Sequence, residues 1–265
     1  MNEYTRTVLL TRPPDDDDAF VRLLAARGIG VHHFPLIQIV PMESGAESEA
    51  AIASIGDLAG IVFTSAHAAR IFLPRLRSAM PAAGIVPPIH AVGEKTADAV
   101  RACGYTVEMI PQQAHAQGLA ESLGVTMGKQ FLHPCSDIAR EELRAAVEAS
   151  GGSVRALPVY RTVPVLPPGV ARVANLISEG FIECIAFFSP SAVRSFAAAF
   201  PSFKQATVLV AAIGQTTAAA CLGNGLRVDV IAPEQTGEAL AGAIADRFDS
   251  AERVIIDPEM HMDIG

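Results

Sequence analysis

The chain has 265 residues, half of them apolar and 18% charged, with a mean hydropathy of +0.33. That length suits two packed domains of about 120–130 residues each, and no apolar run approaches the ~18–20 residues of a membrane span. Net charge is −8, from 28 acidic against 20 basic residues. No Lys/Arg cluster exceeds a dipeptide, which argues against nucleic acid and anionic membrane surfaces as partners.

In chain order, Thr7–Thr11 is a short β-branched run that stops at Pro13-Pro14, and Ala19–Arg27 has the spacing of a helix ending at Gly28. Gly30–Phe34 reads as a strand, Gly60–Phe63 as a fully apolar strand, and Ala66–Leu76 as a helix with Ile71, Phe72 and Leu76 inward. Ile89–Val92 (strand), Thr96–Cys103 (helix) and Thr106–Ile110 (strand) follow. The order then recurs: Gln130–His133, Ile138–Ala149, Ser153–Ala156, Cys184–Phe188, Ala192–Ala199, Val208–Ile213, Thr217–Leu222, Val228–Ile231 and Gly237–Phe248. Alternating strands and helices with near-continuous apolar strands predict parallel sheets covered on both faces. The tail Ala251–Gly265 offers one more strand, Arg253–Ile256. The first dozen residues lack the basic start and apolar stretch of a signal peptide, so a cytoplasmic protein is expected.

The order recurs because the sequence does. Ile61-Val62-Phe63-Thr64-Ser65 matches Ile185-Ala186-Phe187-Phe188-Ser189, Val92-Gly93-Glu94-Lys95-Thr96-Ala97 matches Ile213-Gly214-Gln215-Thr216-Thr217-Ala218, and Phe34-Pro35-Leu36-Ile37 matches Leu157-Pro158-Val159-Tyr160. A unit of about 120 residues has been used twice. Two chain paths fit: one cut near Met127, or lobes that exchange strands through the proline-bounded segments Pro35–Pro41 and Pro158–Pro164.

In parallel α/β lobes, ligands bind beyond the carboxyl ends of the strands. Thr64-Ser65 and Ser189-Pro190-Ser191 sit at such strand-to-helix turns, as do Gly93 to Thr96 and Gly214 to Thr217. Helix N-terminal amides attract anions, so the duplicated turns are expected to present amides and hydroxyls to a shared gap; singly, each serine or threonine is an ordinary helix cap. Gly93-Glu94-Lys95-Thr96 lacks the spacing of a nucleotide-binding P-loop, and neither lobe has a G-x-G-x-x-G turn. Asp15–Asp18 reads as a solvated first turn. His32-His33 reads as the outer edge of a strand, and His133 and Cys135 have no second pair to complete a metal shell. Cys103, Cys135, Cys184 and Cys221 form no C-x-x-C pair and read as reduced, part-buried thiols. Tyr160, one of three tyrosines, lies in a connector, where a phenol can act as a donor or acid.

Val8-Leu9-Leu10-Thr11-Arg12-Pro13, Phe63-Thr64-Ser65, Ala91 to Ala97, Val159-Tyr160-Arg161-Thr162, Phe188-Ser189-Pro190-Ser191-Ala192-Val193 and Ile213 to Ala218 together resemble the uroporphyrinogen-III synthase family, in order over nearly the whole chain. The resemblance implies two similar flavodoxin-like α/β lobes with parallel sheets and a strand-exchanged path, residues 1–36 plus 165–265 and residues 37–164, joined by a two-stranded β ribbon. It implies that hydroxymethylbilane is closed to uroporphyrinogen III, with loss of water and inversion of the last ring, without metal or organic cofactor. By this resemblance Tyr160 is the candidate acid, and Thr96, Ser189, Thr216 and Thr217 line the site. Gly93 and Gly214 supply backbone contacts, and Arg12, Ser65, Lys95 and Ser191 contact carboxylates or backbone. His67 stands where the family often has Asn. A monomer that takes its substrate from hydroxymethylbilane synthase is expected. The competing expectations are a two-lobed binder of an anionic small molecule, an inactive family member, and a flavodoxin-like mononucleotide module.

Overall fold

The structure is a computed structural model that describes residues 5–14, 18–80, 84–112, 116–124, 126–138 and 141–255. Along the chain run β1 (Arg6–Leu10), α1 (Ala19–Ala26), β2 (Ile29–His33), β3 (Ile37–Pro41), α2 (Ala46–Ala53), β4 (Gly60–Phe63), α3 (Ala66–Ala79), β5 (Ile89–Ala91), α4 (Glu94–Ala102) and α5 (Ala116–Ser122). Then come β6 (Gln130–Ser136), α6 (Glu142–Ala149), β7 (Ser153–Pro164), α7 (Val170–Ser178), β8 (Cys184–Phe187), α8 (Pro190–Ala199), β9 (Leu209–Ala212), α9 (Gln215–Gly223), β10 (Val230–Ile231) and α10 (Gly237–Ile255).

The chain divides into two compact units, Met1–Gln38 with Pro164–Gly265, and Ile39–Val163. The first holds a parallel sheet in the order β10-β9-β8-β1-β2. Successive residues of a strand point to opposite faces, and the core follows that rule. Leu9, Ile185, Phe187 and Val210 pack under α7, α8 and α9, whereas Val8, Leu10, Cys184, Ala186 and Ala211 pack under α1 and α10. Both faces are covered, which is why these strands are apolar throughout.

The second unit has the sheet β3-β7-β6-β4-β5. Ile61, Phe63, Leu132 and Leu157 face α2, α3 and α4; Val62 and Phe131 face α5 and α6. The order β7-β6-β4-β5 repeats β2-β1-β8-β9 of the first unit. Each sheet therefore takes two neighbouring strands from one half of the duplicated sequence and the rest from the other. This excludes a single cut near Met127. The strands exchange, and the ribbon is formed by β3 against the end of β7. Met42 N–H donates to Val159 O and Val165 N–H to Leu36 O, the opposed sense of an antiparallel pair.

Several sequence expectations need correction. The strand expected at Thr106–Ile110 is reduced to an isolated bridge between Met109 and His90, close before Pro111. The strand expected at 153–156 does not stop before Pro158 but runs on through the ribbon as β7. The lost donor is tolerated beside a register shift between Cys135 and Ser136 of β6. The expected tail strand is instead the last turn of α10, because the apolar spacing of Leu240, Ile244 and Phe248 continues into an Ala-Glu-Arg stretch of good helix formers; Ile256 and Met260-His261-Met262 lie outside the described residues. Helices α2, α5 and α7 had no counterpart in the sequence reading.

Candidate active site

The carboxyl edge of the second unit's sheet concentrates polar side chains that have little sequence reason to meet. Tyr160 projects from β7 into the face packed by α3 and is 9% exposed. Its phenol donates to Ser65 Oγ at 3.2 Å, its backbone carbonyl accepts from Asp137 N–H, and the ring of His67 stands edge-on at 6.2 Å. Burial is the main cause that raises the phenol's pKa above its ordinary value, with the Ser65 hydrogen bond acting the other way. The group is a protonated donor through the neutral range.

Ser65 occupies the N-cap of α3 in extended conformation, yet its side chain makes no capping hydrogen bond. Its partner is the phenol. One residue earlier, Thr64 Oγ1 lies 2.9 Å from His133 Nε2. His133 is 4% exposed on β6, and burial lowers its pKa to about 4, so the imidazole is neutral. Cys135, on the same strand, is pushed up to about 11 by burial and is an inert thiol at neutral pH. Next along the edge, Gly93 caps α4 in extended backbone (φ −172°), which any residue adopts. Thr96 is buried and its N–H donates to Gly93 O at 3.0 Å, while Lys95 is exposed on the same turn.

The first unit repeats the turns with different partners. Ser189 caps α8, its Oγ accepting Ala192 N–H at 3.3 Å. Ser191, two residues on, accepts from Arg194 Nη2 at 3.2 Å. Gly214 caps α9 with extended φ and is packed so closely that a Cβ would lie 2.9 Å from Gln235 Cγ. Thr217 is buried with its N–H on Gly214 O at 3.1 Å, and Thr216 is exposed. Arg12 is committed: Nη2 donates to both oxygens of Asp18, at 2.7 and 2.6 Å, and the guanidinium sits 4.4 Å from the centre of the Phe188 ring. Asp18 also caps α1 through Phe20 N–H. The expected solvated acidic turn is thus corrected at Asp18, whose side chain is 9% exposed; Asp15, Asp16 and Asp17 lie outside the described residues. Thr11, not singled out from the sequence, donates to Ala186 O at 2.8 Å and ties β1 to β8.

Sequence reasoning thus named Tyr160 and Ser65 without linking them, and set His133 aside as half a metal pair. Among the described residues no three His, Cys, Asp or Glu lie together as a metal-binding group, and no helix is long and apolar enough to cross a membrane. The four cysteines are free thiols, three buried and Cys103 half-buried. His32 and His33 lie on the edge strand β2.

Two α/β units of one strand order, interleaved by strand exchange and carrying hydroxyl-bearing turns at their carboxyl edges, define a duplicated, strand-exchanged α/β protein. The sequence pattern of the family described as "Uroporphyrinogen-III synthase HemD" matches residues 18–242. Uroporphyrinogen-III synthase of Chlorobaculum parvum is 30% identical over 247 residues, covering 91% of this chain and 98% of that protein. That of Synechococcus elongatus is 30% identical over 250 residues, covering 90% and 94%. Among solved structures, a mutant uroporphyrinogen III synthase from Thermus thermophilus aligns with a TM-score of 0.61 at 17% identity over 94% of this chain and all of that one. The Helicobacter pylori uroporphyrinogen-III synthetase aligns at 0.55 and 15% identity with the same coverage; at these identities both show the shared fold. The chain belongs to the uroporphyrinogen-III synthase family, cyclising lyases of porphyrin biosynthesis.

Proposed function

We propose that this chain closes hydroxymethylbilane to uroporphyrinogen III, and that the Tyr160 phenol held on Ser65 supplies the proton for the departing hydroxyl. The contact between these two side chains is the observation that carries the assignment of chemistry to residues. The electron-rich terminal pyrrole pushes out its hydroxymethyl oxygen, leaving an electrophilic azafulvene. Even a phenol made less acidic by burial can protonate a departing hydroxide, because the conjugate acid, water, has a pKa of about 15.7. The pyrrole at the other end attacks the exocyclic methylene of the azafulvene through its own substituted α-carbon, giving a spiro intermediate. The bond from that carbon to its older methylene bridge then breaks, leaving a second azafulvene, on which the freed terminal pyrrole recloses, inverted, through its unsubstituted α-carbon. The proton lost from that unsubstituted α-carbon as aromaticity returns balances the one spent, so the net loss is one water.

The substrate carries an acetate and a propionate on every ring, whereas the protein is acidic. Backbone amides resolve that conflict. The N-termini of α4 and α9 carry the positive ends of their helix dipoles, which favour anions there. In this reading Gly93, Thr96 and Lys95 on one edge, and Gly214, Thr216 and Thr217 on the other, hold carboxylates, with Ser189 and Ser191 beside the second set. Arg12 supports its edge through Asp18 and Phe188, since its guanidinium is already satisfied. We further propose a cytoplasmic monomer that receives hydroxymethylbilane from the synthase that makes it, because the linear compound closes spontaneously to the type I isomer when released.

The test is an isomer-resolved product assay with enzymatically generated hydroxymethylbilane. The type III isomer, formed faster than spontaneous closure, is expected. Only type I at the spontaneous rate defeats the proposal, and saturable binding without turnover would establish a binding protein instead.

A further inference from the structure

The turn that presents Ser65 is held from both sides of the sheet. Along β4 and its extension, Val62 faces the α5–α6 core and Phe63 the α3 core. The alternation carries on past the strand end: Thr64 meets His133, and Ser65 meets Tyr160 on the α3 face. His133 is a buried polar side chain on the neighbouring strand β6, and its imidazole reaches the hydroxyl of the one residue that separates β4 from Ser65. Thr64 is half-buried and Ser65 makes no capping bond to α3. No capping bond fixes the Ser65 side chain to its helix, so its rotamer depends on how the backbone at 64–65 is fixed. His133 itself contacts neither Ser65 nor Tyr160 in the hydrogen-bond pattern.

We infer that His133 is a positioning residue: through Thr64 it fixes the backbone at the end of β4, and so holds Ser65 where it aligns the Tyr160 phenol. This inference rests on the proposed role of Tyr160. A buried polar side chain must satisfy its hydrogen-bonding group. Here the group is satisfied by a residue of the catalytic turn, not by the surrounding core.

The test uses the full chain with His133→Leu, His133→Gln and Thr64→Val, alone and combined. Removing the bond from either side is expected to lower kcat about tenfold, the scale of one buried hydrogen bond, with KM changed less than about twofold. The double variant His133→Leu with Thr64→Val should be no slower than either single one, since both remove the same link. Gln, which can reach Thr64 with an amide, should restore kcat to within about threefold of the parent. A readout independent of turnover is the 13Cζ resonance of the Tyr160 phenol, assigned by its loss in Tyr160→Phe. It should move in His133→Leu and Thr64→Val and stay in place in His133→Gln. Should His133→Leu fail to fold, Thr64→Val removes the same bond without emptying the core. An unmoved resonance in Thr64→Val, or additive losses in the double variant, overturns the inference. A parent protein that makes only the type I isomer overturns the functional reading instead, and the resonance still decides whether His133 positions the phenol.

Discussion

Replacing Tyr160 with Phe removes one oxygen and leaves the ring where it packs. The lost contact is a 3.2 Å hydrogen bond between two neutral groups, worth a net ~0.5–1.5 kcal/mol. Ser65 is half-buried and can turn its hydroxyl elsewhere, so no stranded buried donor adds to that cost. Against a typical stability of about 5–15 kcal/mol, the variant should remain folded at 25 °C. Turnover is a different matter. A positioned acid contributes about 10²–10⁴ to rate, so kcat for the type III product should fall by at least two orders of magnitude while KM changes little. Spontaneous closure is untouched, and the product mixture should therefore drift towards type I. Because burial raises the phenol's pKa above its ordinary value, the parent should lose no activity through this group between pH 7 and about 10. The assay is steady-state turnover with isomer separation, beside urea denaturation of both proteins. A kcat within about threefold of the parent, with the fold intact, would strip Tyr160 of its role as acid.

His133 titrates at about 4 in the fold and near 6.5 when unfolded, so the unfolded chain binds the extra proton. Stability should fall as pH drops from about 6.5 to about 4, by roughly 3 kcal/mol in all, and urea midpoints for His133→Gln should show a shallower pH slope. Arg12→Met leaves Asp18 as a nearly buried carboxylate without its partner. A loss of about 3 kcal/mol is expected, read as a lower urea midpoint; an unchanged midpoint would show that the pair contributes nothing net. In native protein at pH 8, Cys103 should react first with a thiol reagent. Cys135, Cys184 and Cys221 should stay protected until unfolding, since burial holds all three thiols in the neutral form.

The parallel strands were legible because burial on both faces makes them continuous apolar runs, as in Gly60–Phe63 and Cys184–Phe187. The duplication was legible because its motifs keep order and spacing. Helix α2, Ala-Glu-Ser-Glu-Ala-Ala-Ile-Ala, escaped notice because it buries only Ser48 and Ala51 and so carries almost no apolar stripe. The pairing of Tyr160 with Ser65 joins residues 95 apart, and that of His133 with Thr64 joins residues 69 apart. No local pattern encodes either; both arise only when β4, β6 and β7 lie side by side. Asp18 was hidden differently, as the last member of a run of four aspartates whose other members gave no reason to distinguish it.

The two halves of the duplication have parted at the level of single hydroxyls. The strand registers pair Leu10 with His33 and His133 with Ala156, and His33-Phe34-Pro35 corresponds to Ala156-Leu157-Pro158. Leu10 therefore stands where the other unit has His133, and Ile37 where it has Tyr160. Both replacements are buried and apolar. The serine, by contrast, is kept in both. In the first unit, where Ile37 holds the place of Tyr160, the Ser189 oxygen turns back to cap α8. In the second, Ser65 leaves α3 without a side-chain cap, forgoing a contribution of about 1 kcal/mol, and accepts from Tyr160. The side-chain cap is made at one of two equivalent positions and is absent at the other, the one whose serine accepts from a phenol and whose neighbouring threonine meets an imidazole. That asymmetry is what a binding edge and a reacting edge, descended from one unit, would show.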